Sequence, residues 1–256
     1  MKKIFIILIV FLFSCEEADV GGGIFGLEEQ TAPLSGMFYV FEGWKAFMAQ
    51  DYDRAKELFS ATLLADEGSE TNYYDYAYAG LGWTAIYKAN VNPGINNRTL
   101  RENLRSEAID HFASADAGVQ LRLDAENMNN LDSLLYANVM AGRIFNTSYL
   151  ALDKAMEFYS DGSDDSVWDE ALDYSQLVIT DSGTLLSIFD YKFADYDFEY
   201  DENINVDDIR LLRAQSFIRL SYFDSAAVEI ELMTDVSCDL SQISVVECLH
   251  SSGLNQ

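Results

Sequence analysis

Tyr39-Val40-Phe41-Glu42-Gly43-Trp44-Lys45-Ala46-Phe47, followed by Asp51-Tyr52-Asp53-Arg54-Ala55 and then Phe59, is the stretch whose reading decides the fold. Its apolar residues recur at helical spacing on both sides of a short polar break, so it reads as two antiparallel helices joined by a tight turn. Two such helices approach closely only where small side chains meet. Gly43 and Ala55, twelve positions apart, supply that contact, with Phe47 and Phe59 filling the space around it. The pattern returns twice. Tyr78-Ala79-Gly80-Leu81-Gly82-Trp83-Thr84-Ala85-Ile86 precedes Ala108, Phe112 and Ala115, and Leu211-Leu212-Arg213-Ala214 with Phe217 precedes Tyr222-Phe223-Asp224-Ser225-Ala226 and Ile230. Ala214 and Ala226 keep the twelve-residue interval. Gly82 and Ala108 are fourteen positions farther apart than that, and the excess is assigned to an insertion loop, Val91-Asn92-Pro93-Gly94-Ile95-Asn96-Asn97.

This pattern resembles tetratricopeptide (TPR) repeats, W-x2-L-G-x2-Y followed by A-x3-F, with Glu42 where leucine is usual and Glu67 where proline is usual. The resemblance implies helix pairs that stack, because one pair alone cannot bury its apolar faces. It also implies a concave groove in which an extended peptide or other ligand lies. Carried onto this chain, Trp44 and Trp83 stand on neighbouring ridges of that groove, with Val40, Phe47 and Tyr87 nearby. The competing reading packs both tryptophans helix on helix as core.

Periodicity predicts helices near 35–49, 52–65, 72–89 and 99–117, the last stopped by Gly118, then 131–145, 149–159, one from Ser163 or Asp164 through Thr180, and a final pair over 206–234. Between them Phe189, Tyr191 and Phe193, then Tyr196, Phe198 and Tyr200, alternate with charged residues, which predicts a small β-hairpin near 187–201. The expected fold is therefore all-α: a TPR-like helical-hairpin solenoid over 34–235 with that β insertion, ahead of a C-terminal tail, 236–256.

The first residues carry an address. Lys2 and Lys3 precede ten apolar residues, Ile4 to Phe13, a run too short to span a bilayer but suited to a secretory signal. Leu12-Phe13-Ser14-Cys15 resembles a bacterial lipobox, which implies a signal peptide over 1–14 and lipidation of Cys15 as the mature N-terminus. Residues 15–33, with Glu16, Glu17, Asp19 and Gly21-Gly22-Gly23, read as an acidic, glycine-rich tether. The resemblance places the protein in a bacterial cell envelope, at the outer membrane, facing either the periplasm or the exterior, and holds it to the membrane through the N-terminal lipid only.

Forty-three acidic residues against 16 basic ones give a formal charge of −27, or −29 once residues 1–14 are removed. That charge argues against nucleic acid as a partner. Asp195, Asp197, Glu199, Asp201, Glu202, Asp207 and Asp208 are the densest acidic run. It lacks the glycine turn of an EF-hand loop, so it reads as a solvated strand face, with calcium as the alternative. Cys238 and Cys248 form an even pair in an exported chain and read as a disulfide clamping the tail. No nucleophile elbow, zinc helix, P-loop or dinucleotide fingerprint is present, so neither a catalytic residue, a resident metal nor a cofactor is expected. The sequence thus points to a non-enzymatic scaffold or adaptor that binds an envelope protein or peptide. The alternatives are a glycan-binding accessory role similar to SusD-like lipoproteins, with a polysaccharide as partner, and an assembly role similar to BamD-like outer-membrane lipoproteins.

Overall fold

The computed structural model describes residues 36–65, 73–124, 130–162, 164–188, 197–201, 204–233, 238–240 and 243–251. The expected signal segment, Cys15 and the expected tether lie outside them. The described chain is helical: α1 Gly36–Met48, α2 Tyr52–Leu64, α3 Tyr73–Asn90, α4 Arg98–Asp124, α5 Asn130–Asp161, α6 Asp165–Ile188, α7 Val206–Arg219, α8 Phe223–Glu231 and α9 Val245–Ser251, with a 3-10 turn, Ile95–Asn97, before α4. Each of α1 to α8 packs against the next. The odd-numbered helices also touch in series, α1 on α3, α3 on α5 and α5 on α7. These four therefore form one layer, with α2, α4, α6 and α8 behind it.

Glycine–aromatic contacts set the spacing of the two layers. Phe59 of α2 is fully buried between Gly43 of α1 and Gly80 of α3, where an added Cβ would lie 2.7 and 2.4 Å from the ring. Phe112 of α4 repeats the arrangement between Gly82 of α3 and Gly142 of α5, with corresponding distances of 2.7 and 2.2 Å. A back-layer aromatic thus docks onto two successive front-layer helices where neither has a side chain. Burying each ring contributes about 2–3 kcal/mol.

The first and last hairpins share one turn. After α1, Gln50 adopts φ 60°, its N–H bonds the Phe47 carbonyl at 2.8 Å, and the Asp51 N–H bonds the Ala46 carbonyl at 3.0 Å. After α7, Ser221 adopts φ 61°, with Ser221 N–H to Ile218 at 2.9 Å and Tyr222 N–H to Phe217 at 2.8 Å. Both are Schellman closures that satisfy the last helical carbonyls. Ala55 and Ala226 follow at equivalent places, both fully buried. Asp51 caps α2 by accepting from the Arg54 N–H, and Asn205 with Asp208 forms a capping box on α7.

Several expectations need correction. The fourteen extra residues of the second hairpin do not all lie in the 91–97 loop: α3 continues eight residues past Gly82 where α1 continues five past Gly43, the connection is seven residues rather than three, and α4 begins ten residues before Ala108 where α2 begins three before Ala55. Gly118 does not stop α4. The helix runs through it to Asp124, and glycine is required there because the Asp75 carboxylate sits where a side chain would be, 2.1 Å from an added Cβ. The two helices expected at 131–145 and 149–159 are one. Asn146-Thr147-Ser148 looks like a polar break, yet Asn146 is buried against α4 and its Nδ2 donates to the Arg105 carbonyl at 2.9 Å. That donor is satisfied across the interface, so the backbone stays helical. Gly162, at φ 63°, follows α5, and Asp164 caps α6 by accepting from the Ser166 N–H at 2.9 Å.

The expected β-hairpin meets a different arrangement. Residues 187 and 188 belong to α6, and 189–196 lie outside the described residues. The described part, 197–201, makes one isolated antiparallel bridge, Asp197 with Asn205, and Phe198 N–H bonds the Ile204 carbonyl at 2.9 Å. Nor is 236–256 simply a tail, since α9 packs on α8 and Cys248 and Leu249 join Ala214, Ala226, Ile230 and Met233 in a second apolar core.

Candidate functional site

Val40, Trp44 and Phe47 lie on α1, and Trp83 and Tyr87 on α3, so the front layer brings the five residues together. Phe47 and Tyr87 meet edge to face with centroids 5.0 Å apart, and Trp83 and Tyr87 are 6.3 Å apart. They do not form an open groove. Trp44 retains 4% of its exposure, Phe47 3% and Trp83 none. The chain itself covers them: Phe198 stacks on Trp83 at 4.3 Å, and Tyr200 stacks on Trp44 at 3.8 Å. Stacked aromatic pairs of this kind add about 1 kcal/mol to the area they bury. The alternation of Phe198 and Tyr200 with Asp197 and Glu199 does send one set inward, as period two requires. The surface it meets is a pair of helices.

Polar contacts fix this cover. The Tyr87 hydroxyl donates to the Asp201 carboxylate, and burial, reinforced by Asp201, raises its pKa well above the ordinary tyrosine range. Burial raises the Tyr200 pKa in the same way, with the neighbouring Glu199 carboxylate adding to it. Trp83 Nε1 donates to the Asn138 carbonyl of α5 at 3.1 Å. Trp44 Nε1 is buried and meets no acceptor among the described residues.

Tyr200 divides two depressions that remain open. One, of about 400 Å³, is walled by apolar side chains including Met37, Phe41, Met48, Tyr73 and Tyr76, with Lys45 and Glu199 at its rim. The other, of about 390 Å³, is lined by Gln50, Tyr52, Tyr87, Glu199 and Asp201. Met37, Phe41 and Met48 are 59%, 63% and 51% exposed and form an apolar stripe at i, i+4 and i+11 along α1. The sequence carried that spacing, but it reads equally well as core, and only the packing shows which side of α1 is bare.

Asp201 is engaged by Tyr87 and Asp208 by the α7 cap, while Asp195 and Glu202 lie outside the described residues. Among the described residues, no group of three His, Cys, Asp or Glu side chains is placed to hold a metal ion. Behind the front layer, Arg143 bridges Asp116 at 3.0 Å and Asp181 at 3.1 Å, tying α4, α5 and α6 together. Burial raises the Asp181 carboxyl pKa, which Arg143 partly offsets. A disulfide joins Cys238 and Cys248, with Cα atoms 5.7 Å apart, and fixes the start of the terminal segment to α9. Among the described residues no helix is long and apolar enough to cross a membrane. Trp168, the third tryptophan, packs with Phe158 and the 75% exposed Tyr159 where α5 meets α6. Compared with protein-family models, with curated proteins and with solved structures, the chain matches none.

Proposed function

We propose that this chain is a lipid-anchored cell-envelope scaffold of TPR-like architecture, and that its protein partner presents a peptide to the depressions beside Tyr200. The TPR-like reading is supported by the series of helix hairpins, the matching turns at Gln50 and Ser221, and the glycine-seated rings of Phe59 and Phe112. Envelope anchoring is supported by the sequence Leu12-Phe13-Ser14-Cys15 behind its apolar run.

The observation that carries the binding reading is the bare apolar stripe of α1 beside acidic side chains. Exposed apolar clusters rimmed by polar groups mark interaction surfaces. Phe41 and Met37 offer a seat for one bulky apolar side chain, while Glu199 borders both depressions and Asp201 lines the second. With a charge of −27, the protein favours a cationic partner. The matching ligand is a peptide with one large apolar anchor flanked by lysine or arginine.

The test uses two fluorescent peptides, each with a central tryptophan, one flanked by lysines and the other by glutamates. The lysine peptide binds the wild-type chain, and Phe41→Glu weakens it at least tenfold without loss of helicity. Equal binding of both peptides, or retention by Phe41→Glu, overturns the reading. Phe41 is the residue to change because it is exposed; Trp44→Ala or Trp83→Ala would open the core instead.

A second reading, glycan capture, is favoured by the Tyr159, Trp168 and Phe158 cluster, whose exposed ring offers a sugar a flat face. Loss of polysaccharide retention in Tyr159→Ala on an affinity gel is the outcome that supports it, and unchanged retention the one that removes it.

A further inference from the structure

Among the arginines whose side chains are described, all but one are paired. Arg54, Arg98, Arg101, Arg105, Arg143, Arg210 and Arg213 each have a carboxylate within 4 Å. Arg219, at the end of α7, has none among the described residues, and its Nη1 is buried with no acceptor among them. Its pKa is lowered by burial, with no carboxylate to oppose the effect. A guanidinium does not shed its proton to escape this situation, so the site holds a positive charge with no counter-ion among the described residues.

Arg219 also lines a pocket of about 440 Å³ between α5, α7 and α9. The other walls are mostly apolar: Leu152 and Met156 from α5, Ile218 from α7, and Val246 and Leu249 from α9, with the Gln215 amide of α7 as the one further polar side chain of the lining. Leu249 is buried, and the disulfide at Cys248 holds the α9 wall in place. The volume falls within the range of small-molecule sites, which combine mostly apolar walls with a few polar groups.

We infer that this pocket binds a medium-chain aliphatic carboxylate, its head group on the Arg219 guanidinium and its chain against Leu152, Ile218 and Leu249. The planar fork of a guanidinium matches a carboxylate, and a charge-assisted bond of this kind in a buried setting is among the stronger polar contacts. Beyond Arg219 and the Gln215 amide the lining has no side-chain donor with which to hold a polyanion, and the net charge of the protein repels one. A single negative charge on a hydrocarbon body fits both halves of the site. This site is separate from the α1 depressions and does not depend on them.

Decanoate and decanol, below their aggregation limits, are titrated calorimetrically into the full chain with its disulfide intact. Two variants accompany the wild type. Arg219→Gln removes the charge, and Val246→Asp places a carboxylate on the half-exposed opposite wall, where folding is not in question. Decanoate is expected to bind wild type at least tenfold more tightly than decanol, to weaken at least tenfold in both variants, and decanol to bind Arg219→Gln as it binds wild type. Decanoate binding no tighter than decanol, or undiminished in the two folded variants, overturns the assignment.

Discussion

Tyr200 lies flat on Trp44, ring centroids 3.8 Å apart and planes within 4° of parallel. With Phe198 on Trp83, it closes the face that the repeat pattern offered as a groove. Phe198 is 1% exposed and touches Trp44, Phe47 and Trp83, so Phe198→Ala is expected to cost about 3–5 kcal/mol. Tyr200 is only half-buried, so Tyr200→Ala should cost about 1–3 kcal/mol. Both variants should shift tryptophan emission to the red and increase acrylamide quenching. Urea midpoints and emission spectra check this. Emission identical to wild type in Phe198→Ala would show that the cover does not form.

Glycine-to-alanine changes should split by position. Alanine is the better helix former by about 1 kcal/mol. At Gly142 and Gly80 an added Cβ falls 2.2 and 2.4 Å from the rings of Phe112 and Phe59, so overpacking wins and stability should fall by about 1–3 kcal/mol. At Gly183 the nearest atom is Arg213 Nη2 at 3.9 Å, and alanine should stabilise by about 0.5–1 kcal/mol. Thermal melts of the three variants give the signs. A stabilised Gly142→Ala would contradict the packing of α4 on α5.

Gln50 and Ser221 hold left-handed backbone without being glycine. Relieving that conformation returns about 1–2 kcal/mol, and the added freedom of glycine in the unfolded chain takes back about 0.4–1. Gln50→Gly and Ser221→Gly should therefore each gain about 0.5 kcal/mol or slightly more, seen as a higher urea midpoint with unchanged slope.

His111 should give stability a pH dependence. Its ring is partly buried, which lowers its pKa below the ordinary 6.5 despite the Glu107 carboxylate 3.4 Å away. The folded state therefore favours the neutral ring, while the unfolded chain takes up a proton near 6.5. This contribution is complete above pH 6.5 and is lost as pH falls from there to the folded pKa, below which it is flat. In His111→Asn that component of the slope should disappear. Paired urea titrations of the two proteins, with an NMR titration of the imidazole in wild type, measure it. A His111 midpoint above 6.5 would reverse the sign.

Reduction should loosen the C-terminal end before the rest. The ten-residue separation of Cys238 and Cys248 corresponds to about 3 kcal/mol of loop-closure entropy. Amide exchange in α9 should accelerate on adding a thiol reductant, while α2 and α3, seated on Phe59, keep their protection. Equal acceleration throughout would show that α9 is not a separate unit.

The sequence by itself determined the helical class, most helix ends and the first and last hairpins. These rest on local signals: apolar spacing at 3.6 residues and small residues twelve positions apart. It also brought Val40, Trp44, Phe47, Trp83 and Tyr87 onto one face. Tertiary structure decided what that face meets. An aromatic at helical spacing carries the same local signal whether it faces a ligand or another part of its own chain. Trp44 and Tyr200 are separated by 156 positions, and no periodicity within either segment records that they stack. Gly118 and Asn146 escape a local reading for the same reason. Each looks like a helix breaker when its own turn is considered, and each sits inside a helix against a partner on another one, the Asp75 carboxylate filling the space beside Gly118 and the Arg105 carbonyl accepting from Asn146. Burial and hydrogen bonding between distant segments outweigh local propensities of about 1 kcal/mol, and those contacts exist only once the chain has folded.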